Sequence, residues 1–347
     1  MIKFGFCGCG GFIEKAVLPM MARVPAAKAF AAFDANEATR NRVCDAFHIE
    51  RRCATFEELL EQDADVIYIA SPNVFHHRQV LAAAKAGKHV FCQKPMGMNA
   101  RECEEMAAAC RDRGVKMGVG FCYRFQGAQE AAKRMIHDGT LGKVSHLYMS
   151  FNLGGYNKET AGWRCDPKMS GGGPLMDLAP HLVDLARWLL DDEVVSVMAY
   201  ADPERDENTI ELDSDAILEF AGGARAEINT SFVRGNVHNY TVVGTKGQLR
   251  AMGTMCWNNT LPDIGKGRLH LEHFMDSNEV EFTTEEHLEK EIRLFCAALE
   301  TGREPPVSGV DGWKAQQIID AIYESGRTGR RVDLNKQEKS CVTCKLK

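Results

Sequence analysis

The sequence predicts an α/β protein in which a doubly wound parallel sheet is followed by an α+β domain with an open, mainly antiparallel sheet. Up to about residue 124, short apolar segments alternate with helix-like segments, a pattern typical of parallel sheets. Beyond residue 125, strand-like segments follow one another directly, which indicates antiparallel pairing. We therefore expect a first domain over residues 1–124, a second over 125–334 whose last helix is able to pack back on the first, and a mobile tail over 335–347.

Five strands and three connecting helices are predicted in the first domain. Each strand is a short run of apolar, β-prone residues bounded by turn residues. The strands are 2–7, 29–33, 64–70, 90–92 and 115–121, and the helices are 13–23, 76–86 and 98–113. Asn99 is a candidate cap for the last of these helices, with Glu102 three residues further on.

The composition is that of an ordinary globular protein. Hydrophobic residues make up 45% of the 347 residues and charged residues 26%. The net charge of −6 argues against nucleic acid or an anionic membrane as a partner. No segment approaches the ~18 apolar residues of a membrane span, and the N-terminus enters a predicted strand without a signal-peptide pattern. We expect a cytoplasmic protein.

Thirteen cysteines are scattered through the chain, many of them within apolar segments. In a cytosolic chain this distribution indicates reduced, buried side chains and no disulfide framework. Cys341 and Cys344 have metal-like spacing, but no second ligand pair lies at a suitable distance. We therefore expect no metal site.

A glycine-rich turn follows the first predicted strand directly. Gly8, Gly10 and Gly11 precede a helix, and such glycines let the backbone approach a pyrophosphate at the helix N-terminus. Ile13 replaces the third glycine of the usual pattern. At the end of the second strand, Asp34 lies where a carboxylate binds ribose hydroxyls and repels a 2′-phosphate. The pattern predicts NAD in preference to NADP; the alternative role for Asp34 is to cap the next helix.

Lys94 follows the apolar strand 90–92 and precedes Pro95. Proline has no N–H and cannot extend a central strand, so the chain leaves the sheet at this point. In open α/β sheets, ligands bind outside the carboxyl ends of the strands. We therefore predict that Lys94 faces a ligand; the alternative is a solvated surface lysine. His76 and His77 follow another strand end and are either cofactor contacts or ordinary residues at a helix start.

The second domain is predicted to contain eight strands. Gly222 and Gly223 between two of them indicate a two-residue hairpin turn. The strands are 144–152, 194–201, 216–220, 224–233, 240–244, 248–251, 269–272 and 280–283, with helices over 126–139, 286–300 and 312–325. A second subunit would cover a sheet face that no helix covers, so we expect a homodimer or homotetramer formed through this sheet.

A polar trio lies on one face of a further helix. Asp177, His181 and Asp184 fall within ~60° of one another at 100° per residue, while leucines lie on another face and form the core stripe. Buried polar side chains need partners, so the trio is either a functional site or a structural hydrogen-bonded group. Pro180 is costly inside a helix; the helix therefore either starts near residue 179, with Asp177 before it, or kinks there.

Together these motifs resemble the glucose–fructose oxidoreductase, inositol dehydrogenase and rhizopine-catabolism (Gfo/Idh/MocA) family, over about residues 2–334. The resemblance implies a Rossmann domain, a second open-sheet domain that often mediates dimers or tetramers, and hydride transfer between a ring carbon and nicotinamide. The residues that carry it are Gly8, Gly10, Asp34, Ser71, Pro72, Asn73, His76, Gly87, Lys88, His89, Val90, Lys94, Pro95, Tyr123, Arg124, Phe125, Trp163, Arg164, Gly171, Gly172, Gly173, Asp177 and His181.

The resemblance also implies residue roles. Lys94, Asp177 and His181 correspond to the catalytic group of the family; Gln93 departs from the glutamate that usually precedes the lysine. The candidate cofactor-binding residues are Gly8, Gly10, Gly11, Phe12, Ile13, Asp34, Ser71, Pro72, Asn73, His76, Gln93 and Lys94. The candidate substrate-binding residues are Tyr123, Arg124, Trp163, Arg164, Asp166, Asp177 and His181.

These residue types suit the oxidation of a secondary alcohol, in which a hydride passes to NAD and a proton to a base. Histidine, with an ordinary pKa of about 6.5, suits the base. Lys94 would stabilise the developing alkoxide, and Asp177 would bind a neighbouring hydroxyl or orient His181. The sequence therefore predicts an NAD-dependent oxidoreductase acting on a sugar, inositol or glycoside, including the 3-hydroxyl of a glucoside. The alternative is an NAD-dependent glycosidase that oxidises the ring transiently and eliminates the aglycone; a nucleotide sensor without catalysis ranks last.

Overall fold

A computed structural model of the chain describes residues 1–156, 161–253, 267–273, 276–283 and 285–334. These residues form two compact units. The first consists of residues 1–126 and 285–314, and the second of the described residues within 127–284 and 315–334. The chain thus enters the second unit two residues after the predicted boundary at 124/125 and later returns to the first. The tail with Cys341 and Cys344 lies outside the described residues.

The first unit contains a six-stranded parallel sheet with the order β3-β2-β1-β4-β5-β6. The strands are β1 Ile2–Cys7, β2 Ala27–Phe33, β3 Arg51–Cys53, β4 Val66–Ile69, β5 His89–Cys92 and β6 Met117–Val119. This is the strand order of dinucleotide-binding folds, and it confirms the predicted parallel sheet. The prediction of five strands missed β3, because two of its three residues are exposed arginines and give no apolar signal.

Helices connect these strands, and polar side chains cap several of them. Asn36, Thr55 and Asn99 each accept a hydrogen bond from a main-chain N–H of the first helical turn. A π-helical turn, Ile13–Val17, replaces the predicted regular start of the first helix. The α-helices are α1 Leu18–Met21, α2 Glu37–Phe47, α3 Phe56–Glu61, α4 His76–Lys85 and α5 Ala100–Asp112.

A helix from the C-terminal part of the chain completes the core of the first unit. In α10 (His287–Thr301), Phe295 is buried with its ring centroid 5.0 Å from that of Phe91 and 6.4 Å from that of Phe4. A Cβ at Gly118 of β6 would lie 2.8 Å from the Phe295 ring, so this strand position has no room for a side chain. Residues far apart in sequence therefore share one core.

The second unit contains a nine-stranded mixed sheet with the order β14-β13-β12-β11-β7-β10-β9-β8-β15. Among these described strands, β7 and β10 pair in parallel and the other neighbours are antiparallel. The predicted open, mainly antiparallel sheet is confirmed. The strands are β7 Val144–Asn152, β8 Val194–Asp202, β9 Asp213–Phe220, β10 Arg225–Ser231, β11 Val237–Gly244, β12 Gln248–Met252, β13 Gly267–His273, β14 Asp276–Phe282 and β15 Val332–Asp333.

The turn between β9 and β10 differs from the predicted two-residue hairpin. Glu219 pairs with Arg225, and Phe220 N–H donates to the carbonyl of Ala224, which leaves three residues in the loop. Gly223, the last of the three, has a φ of +88°, a conformation that glycine adopts without strain. Three-residue hairpins of this kind place a glycine at this position.

The helices of the second unit include the one that carries the polar trio. They are α6 Gly127–His137, α7 Pro167–Ser170, α8 Pro174–Asp177 and α9 Ala179–Leu190, together with most of α11 Gly309–Thr328. Pro180 lies in the first turn of α9, where a missing N–H costs no hydrogen bond. Asp177 therefore ends α8 and lies before α9, which decides between the two predicted arrangements.

Two further properties concern the described residues as a whole. None of their helices combines the length and the apolar character needed to cross a membrane. The ten cysteines among them are all buried, and burial raises the pKa of thiols such as Cys53, to about 11. Such thiols are protonated at neutral pH and pack as small apolar side chains.

Candidate active site

The glycines after β1 divide into two kinds. Gly8 has a φ of +93°, and a Cβ there would lie 2.8 Å from the main chain of Ala70 and Ser71. At Gly10 and Gly11, in contrast, a Cβ would have no neighbouring atom within 4 Å, so open space lies above them. The turn therefore packs against the end of β4 on one side and leaves its backbone accessible on the other, as pyrophosphate binding requires.

Asp34 fixes this turn from the end of β2. Its Oδ2 accepts a hydrogen bond from Cys9 N–H at 2.7 Å, and its Oδ1 accepts one from Asn36 N–H at 2.8 Å. The cap of α2 is Asn36, which accepts from Thr39 N–H, so the alternative capping role of Asp34 is wrong. A carboxylate has about four lone-pair sites, and the half-buried Asp34 keeps acceptor capacity for ribose hydroxyls.

Gln93, next to Lys94, is held by a buried aromatic stack. Its Nε2 donates to the Tyr68 hydroxyl at 2.6 Å, and Tyr68 lies between Phe6 and Phe91 with ring centroids 5.2 and 4.7 Å away. Burial raises the pKa of Tyr68 well above its ordinary value. The amide of Gln93 thus donates to a hydroxyl, a hydrogen bond that a carboxylate at this position could only accept.

The loops after β4 and β5 lie at the carboxyl edge of the sheet, as predicted. Lys94 is half-buried, and its peptide bond to Pro95 is cis. The Ser71 hydroxyl donates to Gln79 Oε1 at 2.5 Å. His76 is buried, and both ring nitrogens lie against main-chain carbonyl oxygens. The side chains of Ser71 and His76 thus contact protein groups, and Asn73, also buried, begins a 3₁₀ turn.

Tyr123 and Arg124 are buried in the first unit. The Arg124 guanidinium forms an ion pair with Asp311 at 2.9 Å and contacts the carbonyl of Pro306 at 3.4 Å. The Tyr123 ring centroid lies 6.0 Å from that of His287. These contacts give both side chains a part in packing the segment 285–314 into the first unit.

In the second unit, Asp177 and His181 lie at the junction of α8 and α9. His181 is 7% exposed and its ring lies 6.1 Å from that of Phe151 on β7. Asp177 is half-buried and accepts a hydrogen bond from the Tyr156 hydroxyl. Burial, together with the charge of Asp177, raises the pKa of Tyr156. The structure thus brings Tyr156 to Asp177, a pairing that no motif in the sequence indicates.

In the segment before the glycine run, the side chains of Trp163, Arg164 and Asp166 contact mainly other groups of the protein. The Arg164 guanidinium stacks on the Trp163 ring at 4.6 Å. Asp166 Oδ1 accepts from Lys168 N–H at 3.0 Å and caps α7, which begins with Pro167. Arg164 also acts electrostatically on Tyr156. The charge of Arg164 lowers the pKa of Tyr156, whereas burial and Asp177 raise it.

The glycine run 171–173 is packed rather than open. A Cβ at Gly172 would overlap the Tyr323 hydroxyl, and one at Gly173 would overlap the carbonyl of Glu211. These glycines let the chain pass directly against α11 and the segment that leads into β9 before it enters α8. Their role is therefore to bring Asp177 and His181 close to the sheet.

Glu211 is the buried group that holds this run. Its Oε1 accepts hydrogen bonds from Gly173 N–H, Leu175 N–H and the Tyr323 hydroxyl, each at 2.9 Å. Burial raises the pKa of Glu211, against the effect of these donors. Glu211 was not predicted from sequence; the one available signal was an acid between the apolar residues Ile210 and Leu212.

No group of three or more His, Cys, Asp or Glu side chains within the described ranges is arranged to hold a metal ion. The candidate side chains for chemistry are Lys94, after β5 of the first unit, and Asp177, His181 and Tyr156 of the second.

Two family models match the chain. The model described as the oxidoreductase family with an NAD-binding Rossmann fold matches residues 2–121, and the model of the GFO/IDH/MocA C-terminal domain matches residues 130–250. The chain belongs to the Gfo/Idh/MocA family. The resemblance drawn from its motifs, the Rossmann fold and the oxidoreductase class are therefore confirmed.

Relatives of this Gfo/Idh/MocA protein align along almost all of its length. It is 31% identical to D-xylose 1-dehydrogenase (NADP(+)) 2 of Haloferax volcanii, over 96% of this chain and 100% of the relative. It is 28% identical to myo-inositol 2-dehydrogenase of Thermotoga maritima, over 88% and 90%. The structure of aldose-aldose oxidoreductase from Caulobacter crescentus complexed with glycerol has a TM-score of 0.86 and 27% identity, over 96% and 99%.

Proposed function

We propose that this Gfo/Idh/MocA protein is an NAD-dependent dehydrogenase that acts on a secondary hydroxyl of a sugar, an inositol or a glycoside. The observation on which the proposal depends is that the glycine turn with Asp34, Lys94, Asp177 and His181 are all present in a chain whose relatives are named as sugar and inositol dehydrogenases. The 3-hydroxyl of a glucoside is included among the proposed substrates.

The glycine turn fits the proposed cofactor. Gly10 and Gly11 leave free space where a pyrophosphate would approach the main chain at the start of the first helix. Asp34 orders this turn and presents a carboxylate for the ribose hydroxyls. We assign the wider cofactor contacts as predicted from sequence, except for His76, whose buried ring lies against main-chain carbonyls. Ser71 contributes through its loop rather than its side chain.

NAD is proposed in preference to NADP on electrostatic grounds. Asp34 would repel a 2′-phosphate. The nearby Arg42, a cation that could attract such a phosphate, is held by Glu14 through two hydrogen bonds of 2.9 Å. The test of this assignment is the value of kcat/KM with NAD divided by the value with NADP. This quotient should fall in Asp34→Ala, and a wild-type enzyme that prefers NADP would contradict the assignment.

The reaction balances as loss of a hydride and a proton from one CH–OH group. Bound nicotinamide would accept the hydride. His181 takes the hydroxyl proton, a contribution of about 10²–10⁴-fold for general bases. Lys94 stabilises the negative charge that develops on the oxygen. Asp177, oriented by the Tyr156 hydroxyl, binds a neighbouring hydroxyl or orients His181.

A second copy of the chain is the proposed protein partner. The outer face of the nine-stranded sheet carries an exposed row that crosses four adjacent strands: Met198, Ile217, Glu227 and Tyr148 lie side by side. Three of the four are large apolar side chains, which is unusual on a face open to water. We propose that this face forms a homodimer or homotetramer interface.

The activity is tested with purified protein, NAD and a panel of sugars, inositols and glycosides, by following reduced nicotinamide. Lys94→Ala and His181→Asn should each lower kcat about 10²-fold or more. NAD affinity should stay within about threefold in His181→Asn, because His181 is not among the proposed cofactor contacts. His270→Asn, an exposed histidine on β13, is the matched control and should keep wild-type kinetics.

Two results would contradict the proposal. One is the absence of nicotinamide reduction with every substrate, combined with no oxidation of NADH by the matching ketones. The other is release of aglycone from glycosides with catalytic NAD and no accumulation of NADH, which is the result expected for the glycosidase.

A further inference from the structure

His76 connects two loops that leave neighbouring strands of the parallel sheet. Its Nδ1 lies 3.0 Å from the carbonyl oxygen of Pro95, and its Nε2 lies 2.8 Å from that of Ser71. Ser71 follows β4 and Pro95 follows β5, and these two strands pair side by side. Because His76 is 1% exposed, both contacts are shielded from water.

Both partners of the ring are carbonyl oxygens, which only accept hydrogen bonds. A neutral imidazole has one N–H and satisfies one carbonyl at a time, whereas an imidazolium satisfies both. Burial lowers the pKa of His76, against the effect of the surrounding main-chain groups. A neutral His76 thus donates to one of the two carbonyls at a time, and substitutions that keep one position of the ring test the two contacts separately.

The two loops differ in what else holds them. The loop after β4 is fixed independently, because the Ser71 hydroxyl donates to Gln79 in α4. The loop after β5 is held on either side of Lys94 and Pro95, by Gln93 Nε2 at the Tyr68 hydroxyl and by Met98 N–H at Glu102 Oε2. Between these two points, Pro95 has no N–H to form a main-chain hydrogen bond. The Pro95 carbonyl is thus a polar group adjacent to Lys94 that ties this loop to α4.

We propose that His76 is a positioning residue for Lys94. Its Nδ1 contact with the Pro95 carbonyl fixes the loop on which Lys94 lies, so that the ammonium group has one defined location. This differs from the cofactor contact predicted from sequence, because a buried ring with both nitrogens against main-chain carbonyls presents no polar atom to a cofactor. The inference rests on the role proposed above for Lys94.

Two amide substitutions separate the contacts. Asparagine places its Nδ2 near the position of the imidazole Nδ1, whereas glutamine places its Nε2 near that of the imidazole Nε2. His76→Gln loses the Pro95 contact and should lower the hydride-transfer rate at saturating substrate roughly 10- to 100-fold, since a misplacement of ~1 Å can cost ~10²-fold. His76→Asn keeps that contact and should lose no more than about threefold, with NAD dissociation constants nearly unchanged in both.

Amide hydrogen exchange gives a measurement that does not depend on activity. Exchange over residues 93–98 should be faster in His76→Gln than in the wild type and unchanged in His76→Asn. Equal loss of rate in both variants, a loss confined to NAD affinity, or faster exchange over 93–98 in His76→Asn would overturn the proposal. If His76→Gln does not fold, amide exchange over residues 93–98 in His76→Asn tests the proposal by itself: faster exchange than in the wild type overturns it.

Lys94→Ala, measured in parallel, separates this inference from the proposed function. If the wild type transfers no hydride, or if Lys94→Ala keeps the full rate, the proposed function fails, and exchange over 93–98 still tests whether His76 fixes the loop. If Lys94→Ala is inactive while His76→Gln keeps the wild-type rate, the positioning role alone is wrong.

Discussion

At the scale of single residues, two glycines in one turn have different physical tasks. Gly8 adopts a left-handed backbone conformation and touches the main chain at the end of β4, so its lack of a side chain is a packing requirement. Gly10 has free space around it, so its lack of a side chain concerns a ligand rather than the fold. The same residue type therefore serves stability at one position and binding at the other.

This difference can be measured with alanine at each position. Gly8→Ala should destabilise the protein by about 1–3 kcal/mol, because it combines backbone strain with a steric overlap. Gly10→Ala should leave the melting temperature of the ligand-free protein within about 1 °C while reducing the increase in Tm produced by saturating NAD. Thermal unfolding with and without NAD checks both, and equal destabilisation by the two substitutions would contradict the assignment.

Some site residues could be predicted from sequence because their position relative to a strand end is visible in the sequence itself. Gly8 and Asp34 lie directly after a predicted strand and Lys94 lies two residues after one, and the ends of parallel strands share one edge. Glu211 and Tyr156 could not be found in this way. Glu211 accepts a hydrogen bond from Gly173, 38 residues away, and Tyr156 donates one to Asp177. No local sequence pattern predicts hydrogen bonds between residues this far apart.

At the scale of elements, the junction of α8 and α9 depends on a buried carboxylate. Glu211 joins the glycine run to α11 through three hydrogen bonds to Oε1, while Oε2 has no hydrogen-bond partner among the described contacts. Ionisation at such a site opposes folding, because the charge is removed from water. The element that carries Asp177 is thus sensitive to the protonation of Glu211.

The sign of this effect follows from the raised pKa of Glu211. The folded state binds the proton more tightly than the unfolded state, so the associated stability is present at low pH and is lost as pH rises through the folded pKa. Glu211→Gln should therefore gain stability relative to the wild type as pH rises above about 4.5, the ordinary pKa of glutamate, measured by urea unfolding. Tyr323→Phe, which removes one donor but keeps the carboxylate, should lose about 1 kcal/mol and keep the wild-type trend.

Helix α10 contains a second buried titrating group, with the opposite pH dependence. Burial lowers the pKa of His287 to about 4, so the unfolded state binds a proton more tightly than the folded state. Stability is then greatest above about pH 6.5 and falls as pH decreases towards 4. Since His287 packs beside Tyr123, acidification should loosen the part of the first unit that is built from residues 285–314.

Urea unfolding at pH 7 and pH 5 checks this prediction. The His287 contribution should lower wild-type stability by about 2 kcal/mol over this range, and His287→Phe should remove that part of the loss while keeping an aromatic ring beside Tyr123. His270→Asn, at an exposed site, should behave as the wild type. An equal loss in His287→Phe and the wild type would show that His287 does not titrate as described.

Helices and strands could be predicted where the residues of the element itself form a characteristic sequence pattern. The parallel sheet and most antiparallel strands follow from apolar periodicity and turn residues. The short edge strand β3 and the π-helical turn at 13–17 have no such signal, because they depend on pairing with β2 and on packing below the glycine turn. The hairpin length after β9 was wrong because register is set by pairing along the whole strand.

At the scale of the whole molecule, the outer face of the nine-stranded sheet exposes large apolar side chains that a partner would cover. Ile217 is 45% exposed and lies between Met198 and Glu227 in the row proposed as an interface. A row of large apolar side chains gains stability when a second copy excludes water from it. The proposed homo-oligomer therefore has a specific surface on which it can be tested.

Ile217→Lys should shift the protein to the monomer, because the interface would then bury a charge. Light scattering coupled to gel filtration measures the mass directly. Val310→Lys, which alters an equally exposed apolar residue on α11, is the matched control and should keep the mass of the wild type. A monomeric wild type, or an Ile217→Lys variant with an unchanged mass, would rule out this face as the interface.

The return of residues 285–314 to the first unit has a consequence for synthesis of the chain on the ribosome. Phe295 fills a space against Gly118, Phe91 and Phe4 that residues 1–126 leave open. At about 5–20 residues per second, translation supplies Phe295 roughly 10–30 s after residue 126. During that interval the nascent parallel sheet exposes an apolar surface, which makes it a natural client for chaperones that bind nascent chains, and a fragment ending at residue 126 would expose that surface permanently.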